Sequence, residues 1–290
     1  MIIDSHAHFE PRMLGLDAAV AKMDAAGVDK VALIPAMNDT LPHTPEMLLT
    51  VVRKLMRSST TRRLAEAIHR RMMTSDGNLR LKGETIRIYP QPDNASVAEV
   101  LRARPDRFVG WIFLNPKHDP APIESLHRWL EVDGFIGVKL HPHWHDYETE
   151  LLDPILARCE DLGLPVLVHL GFGKRGDFRT MAARHPRLTI IAAHAGIPFY
   201  DDLWRYKNAY RNLYVDLSSP YLDEALVRDT VAMMGPERCL YGTDAPYGFQ
   251  TDDGYDYGEI KRWIDRLPVA ATKKDGIFGG TFGAMISRRE

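Results

Sequence analysis

"PVLVHLG" (165–171) and "LTIIAAHAG" (188–196) share one construction: an unbroken apolar run that ends in a histidine and a glycine, with room between the two for a helix and its turns. The runs are apolar at consecutive positions rather than at every second one. Strands buried on both faces of a parallel sheet have this character, because helical crossovers cover both sides. The unit recurs in both directions along the chain. "MIID" (1–4), "KVALIP" (30–35), "FVGWIFLNP" (108–116) and "FIGVKLHP" (135–142) precede the pair, and "LYVDLS" (213–218) and "CLYGTDAP" (239–246) follow it. Between them lie helical patterns such as "LDAAVAKMDAAGV", "DNASVAEVLRARPDR", "SLHRWLEVDG", "LLDPILARCEDLGL" and "DEALVRDTVAMMG", several of which close at a glycine as helix C-termini do. Eight strands alternating with helices over 290 residues predict an α/β chain folded as a (β/α)8 TIM barrel. An open doubly wound sheet is the alternative, but no Gly-x-Gly-x-x-Gly follows any run.

One interval breaks the rhythm. About 70 residues separate the second run from the third, more than a crossover helix and its loops need. Within it "TPEMLLTVVRKLMRSSTTRRLAEAIHRRMM" reads as two basic amphipathic helices, followed by a polar stretch. Residues 41–95 are therefore expected to form a helical insertion after strand 2, set on the catalytic rim of a single domain spanning 1–290. Solvation and pairing with glutamates account for its basic face better than nucleic-acid binding does.

Composition narrows the function classes. With 45% hydrophobic and 26% charged residues the chain can bury a large core, and a formal charge of −2 offers no surplus of base for a nucleic-acid partner. Cys159 and Cys239 are the only cysteines, which provide neither a disulfide framework nor a cysteine metal cluster. No basic-then-apolar leader precedes "MIIDSH", and no apolar run approaches the roughly 18 residues of a membrane span. A cytoplasmic protein without a membrane partner is the expectation.

Chemistry in such barrels sits at the C-terminal strand ends. There the chain places His6 and His8 on the first strand, Lys139, His141 and His143 on the fourth, His169 on the fifth, His194 on the sixth and Asp244 on the eighth. Strand alternation aims His6 and His8 to one side, and pairs Lys139 with His141, Leu167 with His169, and Ala192 with His194. Any one of these histidines alone would be read as a hydrogen-bonded core residue, and Asp244 as a turn cap. Their convergence on one mouth predicts a divalent-metal site of imidazole and carboxylate ligands.

The segments "DSHAHF" (4–9), "PDRFVGWIFLNP" (105–116), "GVKLHPH" (137–143), "LGLPVLVHLG" (162–171), "AAHAG" (192–196) and "YGTDAP" (241–246) resemble, in order and spacing, the amidohydrolase superfamily. Within it they resemble the amidohydrolase-2 group, which includes aromatic-acid decarboxylases. The resemblance implies a distorted (β/α)8 barrel, His6, His8, His169 and Asp244 as metal ligands, and His194 as a second-metal ligand or general acid/base. It also implies one or two ions, zinc foremost. Lys139 matches a lysine that some binuclear members carry as a carbamate, so a carboxylated Lys139 is a further expected ligand. The chain departs from the group at Thr281 and Phe282, where an asparagine-alanine pair often stands.

A metal-activated water with Asp244 as general base and then acid predicts hydrolysis of a lactone, ester or amide of a small, aromatic or carboxylated molecule. The alternative keeps the metal and removes carbon dioxide from an aromatic or unsaturated acid. A non-catalytic binding barrel ranks last, since every expected ligand position is filled. His141, His143, Trp144 and Arg175 are the expected substrate contacts, with Lys174 and His145 beside them for an anion and Phe172, Phe199, Tyr200 and Tyr247 as candidate ring-stacking residues. Asp4, of the same parity as His6 and His8, is expected to orient an imidazole or to make a plain structural hydrogen bond. A homodimer pairing through the insertion is the expected association state; a sedimentation mass of two chains at micromolar concentration checks it, and a mass of one chain would contradict it.

Overall fold

The computed structural model describes residues 1–290 except 41–45, 82, 248–249, 252–253 and 288–290. Eight parallel strands pair in chain order: β1 (Ile3–Phe9), β2 (Lys30–Pro35), β3 (Phe108–Phe113), β4 (Phe135–Leu140), β5 (Val166–Val168), β6 (Ile190–Ala192), β7 (Leu213–Asp216) and β8 (Cys239–Leu240). Each lies within a run marked by its apolar character, apart from β1, which starts and ends later than "MIID". The ladder of eight does not itself pair β8 with β1. The chain just past β8 does so instead: Ser5 N–H donates to the Tyr241 carbonyl, Thr243 and Asp244 N–H to the His6 carbonyl, and His8 N–H to the Ala245 carbonyl. These bonds close the ring, and the fold is a distorted (β/α)8 barrel.

Helices cover the outside. They include α1 (Leu16–Ala26), α2 (Glu46–Met56), α3 (Ser59–Met72), α4 (Asn94–Ala103), α5 (Pro122–Leu130), α6 (Asp153–Leu162), α7 (Phe178–Arg184), α8 (Tyr200–Tyr206) and α9 (Glu224–Met234). Their ends follow local chemistry. Gly27 and Gly163 terminate α1 and α6 in the left-handed conformation, and the Asp93 and Asp223 side chains accept the Ala95 and Leu226 N–H groups at the starts of α4 and α9. Val31, Leu33, Ile112, Val138 and Val166 pack outward against the helices, whereas Ile34, Trp111, Ile136, Leu167, Ile191 and Leu240 fill the barrel interior with Phe282. Each such aliphatic side chain contributes roughly 1.5–3 kcal/mol by leaving water. Phe282, a point of departure from the group pattern, lies 5.9 Å from the Trp111 ring as part of that filling.

The insertion contains the two helices expected, α2 and α3, and then a short hairpin of Leu79–Leu81 with Glu84–Ile86. Four of its basic residues are paired, two with glutamates and two with aspartates: Arg53 with Glu46, Arg57 with Asp229, Arg62 with Asp202 and Arg70 with Glu66. Met47, Leu48, Val51, Leu64 and Ile68 remain exposed on these helices.

Two parity expectations fail for local reasons. A register irregularity between Asp4 and Ala7 separates Asp4 from His6 and His8. Ala192 packs outward and Ala193 inward, so strand alternation alone would turn His194 away from the mouth. The chain breaks from strand geometry there, and His194 adopts φ 56°, which returns its ring to the barrel end. Gly137 in β4 is a site of close approach: a β-carbon there would collide with the Pro165 carbonyl and lie 2.6 Å from the Trp111 ring. Gly137→Ala is expected to lower unfolding free energy by about 1–3 kcal/mol in denaturant titration, and unchanged stability would contradict that packing.

Candidate metal centre

β1 delivers two imidazoles and the segment after β8 a carboxylate. His6 Nε2 lies 3.7 Å and His8 Nε2 3.5 Å from Asp244 Oδ1. The ligand atoms of His6, His194 and Asp244 all fall within 4.8 Å of one another. Asp244 has φ 60° and His194 φ 56°, a conformation that costs a non-glycine residue on the order of 1–3 kcal/mol. Hydrogen bonds hold both in place: Asp244 N–H donates to the His6 carbonyl at 2.7 Å, and His194 N–H to Asp216 Oδ1 at 3.0 Å.

Asp216, at the end of β7, organises the imidazoles and was not singled out among the candidates. Its Oδ2 accepts from His6 Nδ1 at 2.9 Å. Its Oδ1 accepts from the Ser218 hydroxyl, whose oxygen in turn accepts from His194 Nδ1 at 2.8 Å. With Nδ1 protonated in both rings, both Nε2 atoms present a lone pair, that of His6 facing Lys139 Nζ at 3.4 Å. His8 follows the same rule, since its Nδ1 faces the Pro35 carbonyl at 3.4 Å. Burial pushes His6, His8, His169 and His194 well below the usual imidazole range, which keeps them neutral. Three neutral nitrogens and a buried carboxylate, each fixed by an outer partner, fit a divalent cation.

His169, expected as a ligand, packs 4.2 Å from the His141 ring, 4.7 Å from His194 and 5.3 Å from His143, and lies outside the tight three-residue cluster. Lys139 is wholly buried with Nζ 3.4 Å from His6 Nε2. Burial lowers its pKa against the pull of Asp216 and Asp244, and burial raises that of Asp244 against the pull of Lys139. Asp4 orients no ring. It accepts from His6 N–H at 2.9 Å, Thr243 N–H at 3.1 Å, the Thr243 hydroxyl and the Tyr257 hydroxyl, and so ties β1 to the Asp244 segment. Burial pushes its carboxyl up to about 6 while those donors oppose the rise.

Among the expected substrate contacts, His141 Nδ1 accepts Trp144 N–H at 3.2 Å, leaving the ring proton on Nε2. Arg175 is engaged by Asp146 at 2.6 Å and Lys174 by Glu148 at 3.3 Å. Trp144, His145, Phe172 and Arg175 line a cleft of about 1010 Å³. Tyr247 meets His8 edge-on at 5.1 Å. Phe199 instead lies under Arg62, and Tyr200 is buried in the core between sheet and helices.

The family model described as amidohydrolase matches residues 3–281. The chain belongs to the amidohydrolase family. The chain is 23% identical over 250 residues to 2-keto-4-carboxy-3-hexenedioate hydratase of Sphingobium sp., covering 69% of this chain and 72% of that protein. It is 24% identical over 248 residues to gamma-resorcylate decarboxylase of Rhodococcus jostii, covering 64% and 74%. A solved dihydroxybenzoic acid decarboxylase of Polaromonas sp., with bound manganese and 2-nitroresorcinol, shares its fold at a TM-score of 0.60 and 17% identity, covering 100% of this chain and 97% of that one.

Asp216→Asn replaces an acceptor for His6 Nδ1 with a group that can present a donor. Affinity of the protein for an added divalent cation is expected to fall about 10–100-fold in a metal titration, and wild-type affinity would refute the role given to Asp216.

Proposed function

We propose that the protein is a divalent-metal-dependent carboxy-lyase that removes carbon dioxide from a small hydroxylated aromatic or unsaturated carboxylic acid. The observation that carries this reading is the similarity to gamma-resorcylate decarboxylase over 248 residues in a chain whose strand ends gather His6, His8, His194 and Asp244. Neither relative named above is a hydrolase, so the hydrolysis expected from the intact His-x-His and Lys139 has less support.

His6, His8, His194 and Asp244 would hold the cation, with His169 adjacent. Once bound, it would supply Lewis acidity toward a carboxylate and a neighbouring hydroxyl of the substrate. Zinc is the ion expected from the sequence, and manganese is the one found in the solved neighbour. Asp244 is the acid of the reaction: it gives a proton to the ring carbon, the bond from that carbon to the carboxylate breaks, and the bonding pair stays on the carbon as carbon dioxide leaves. His141, with its proton on Nε2, donates a hydrogen bond to a substrate oxygen. Trp144 flanks the ring, and His143 contacts it on the cleft side. Arg175 is held by Asp146 and shapes the wall rather than meeting the substrate directly. Lys139 either balances Asp216 and Asp244 as an ammonium or, as a carbamate, adds anionic oxygens to the ligand set.

The similarity to a hydratase favours a second reading, in which Asp244 takes a proton from water, the hydroxyl adds to one carbon of a carbon-carbon double bond, and the proton goes to the other.

The test is carbon dioxide and phenol release from a panel of hydroxybenzoates by metal-reconstituted protein. Release is expected to vanish on chelation, return with zinc or manganese, and fall on the order of 100-fold or more in Asp244→Asn. No release from the panel, together with hydration of an unsaturated keto acid, would replace decarboxylation with the second reading. Intact mass under mild conditions shows whether Lys139 carries carbon dioxide.

A further inference from the structure

We infer that the helical insertion completes the substrate site through His69, which acts with His143 to grip a hydroxyl on the end of the substrate remote from the metal ligands. This rests on the reading that a small carboxylic acid binds at the strand ends.

His69 lies in the last turn of α3, and α2 and α3 are fastened to the catalytic end of the barrel. Arg53 donates to the carbonyls of Pro220 and Tyr221, in the loop after β7. Arg62 pairs with Asp202 of α8 at 2.7 Å, and its guanidinium covers the Phe199 ring at 4.6 Å. So held, the His69 ring stacks on His143 with centroids 4.2 Å apart and planes at 26°. His143 stacks on His169 at 5.3 Å, and His169 meets His194 at 4.7 Å. A file of imidazoles thus runs from the insertion to the metal centre.

The pair is also short of hydrogen bonds. Among the described residues, His69 Nε2 and His143 Nδ1 are two of eight buried side-chain polar atoms with no protein partner. Buried polar atoms are almost always paired, so two exceptions on stacked rings, one of which lines the cleft, mark a place where a ligand supplies the partner. His69 also lines the 1010 Å³ cleft beside Phe172 and Trp144, so a molecule entering from that side reaches it.

The chemistry of the wall selects the group. Burial pushes His69 down to about 4, so its ring is neutral and offers one donor and one acceptor. The cations lining the cleft are already answered: Arg70 by Glu66, Lys117 and Arg175 by Asp146, and Lys174 by Glu148. A second carboxylate there would compete with Glu66, Asp146 and Glu148 for those cations. A hydroxyl, which both donates and accepts, matches the two unpartnered ring nitrogens.

The probes are 2-hydroxybenzoate, its 4-hydroxy and 5-hydroxy derivatives, and 4-carboxy-2-hydroxybenzoate, titrated calorimetrically into zinc-loaded protein. Wild type is expected to bind one of the dihydroxy acids about tenfold more tightly than 2-hydroxybenzoate, with no such gain from the second carboxylate. His69→Phe keeps a stacked ring without nitrogens. It is expected to erase that preference while holding the 2-hydroxybenzoate Kd within about twofold and leaving metal content unchanged. His69→Gln, which keeps hydrogen-bonding capacity, is expected to retain part of the preference. A preference that survives in His69→Phe, or a wild type that binds these acids without one, overturns the inference and leaves decarboxylation standing. Failure of every acid to bind overturns both. Preferential binding lost in His69→Phe, without carbon dioxide release, supports the contact and removes the reaction.

Discussion

Asp216 is wholly buried at the end of β7 and accepts four hydrogen bonds, from the His6 ring, the His194 and Ser218 N–H groups and the Ser218 hydroxyl. A carboxylate with four donors cannot rotate without stranding one of them, at a cost of about 1–3 kcal/mol. Its immobility fixes two rings that come from strands far apart in the sheet. His6 is gripped directly, and His194 through Ser218 and its own backbone. The left-handed backbone of His194, unfavourable by itself, persists because Asp216 receives its N–H. The geometry of the mouth therefore descends from a residue that need not face the substrate at all.

Charge completes the picture. Asp216 and Asp244 lie buried against one buried lysine among neutral imidazoles, and burial raises the Asp244 carboxyl toward its protonated form. Low-dielectric surroundings make an ionised carboxylate there expensive, and a divalent cation between His6, His194 and Asp244 would favour the ionised form. Asp4, though equally buried, stands apart from this account because its four donors lie in the backbone and hydroxyls around it.

The barrel was legible because the strands are buried on both faces, so "KVALIP" and "FIGVKLHP" read as continuous apolar runs, the first matching its strand and the second running two residues past it. His6, His8, His194 and Asp244 were legible because residues at strand ends share one mouth. Asp216 escaped since the candidate ligands were gathered from histidines and the final acid, although it closes the run "LYVD" in the equivalent place. His69 had no such signal. It sits in "AIHRRMM", a helix face that reads as a basic solvated surface, and only the docking of α3 shows where the ring goes. The outcome for Asp4 and the route of His194 turned on a register irregularity and a positive φ, neither of which composition or alternation encodes.

Closure of the ring is uneven around its circumference. Seven joints are strand ladders, two of them with a register shift, whereas the last is a handful of hydrogen bonds between β1 and residues 241–245, next to a β8 of only two residues. His6 and Asp244 stand on opposite sides of that seam. Any group that binds both at once spans the two ends of the sheet, so its binding free energy becomes cohesion of the barrel by mass action. The centre is in this sense a clasp as well as a reaction site, and the tightness of the barrel's weakest joint is coupled to its occupancy.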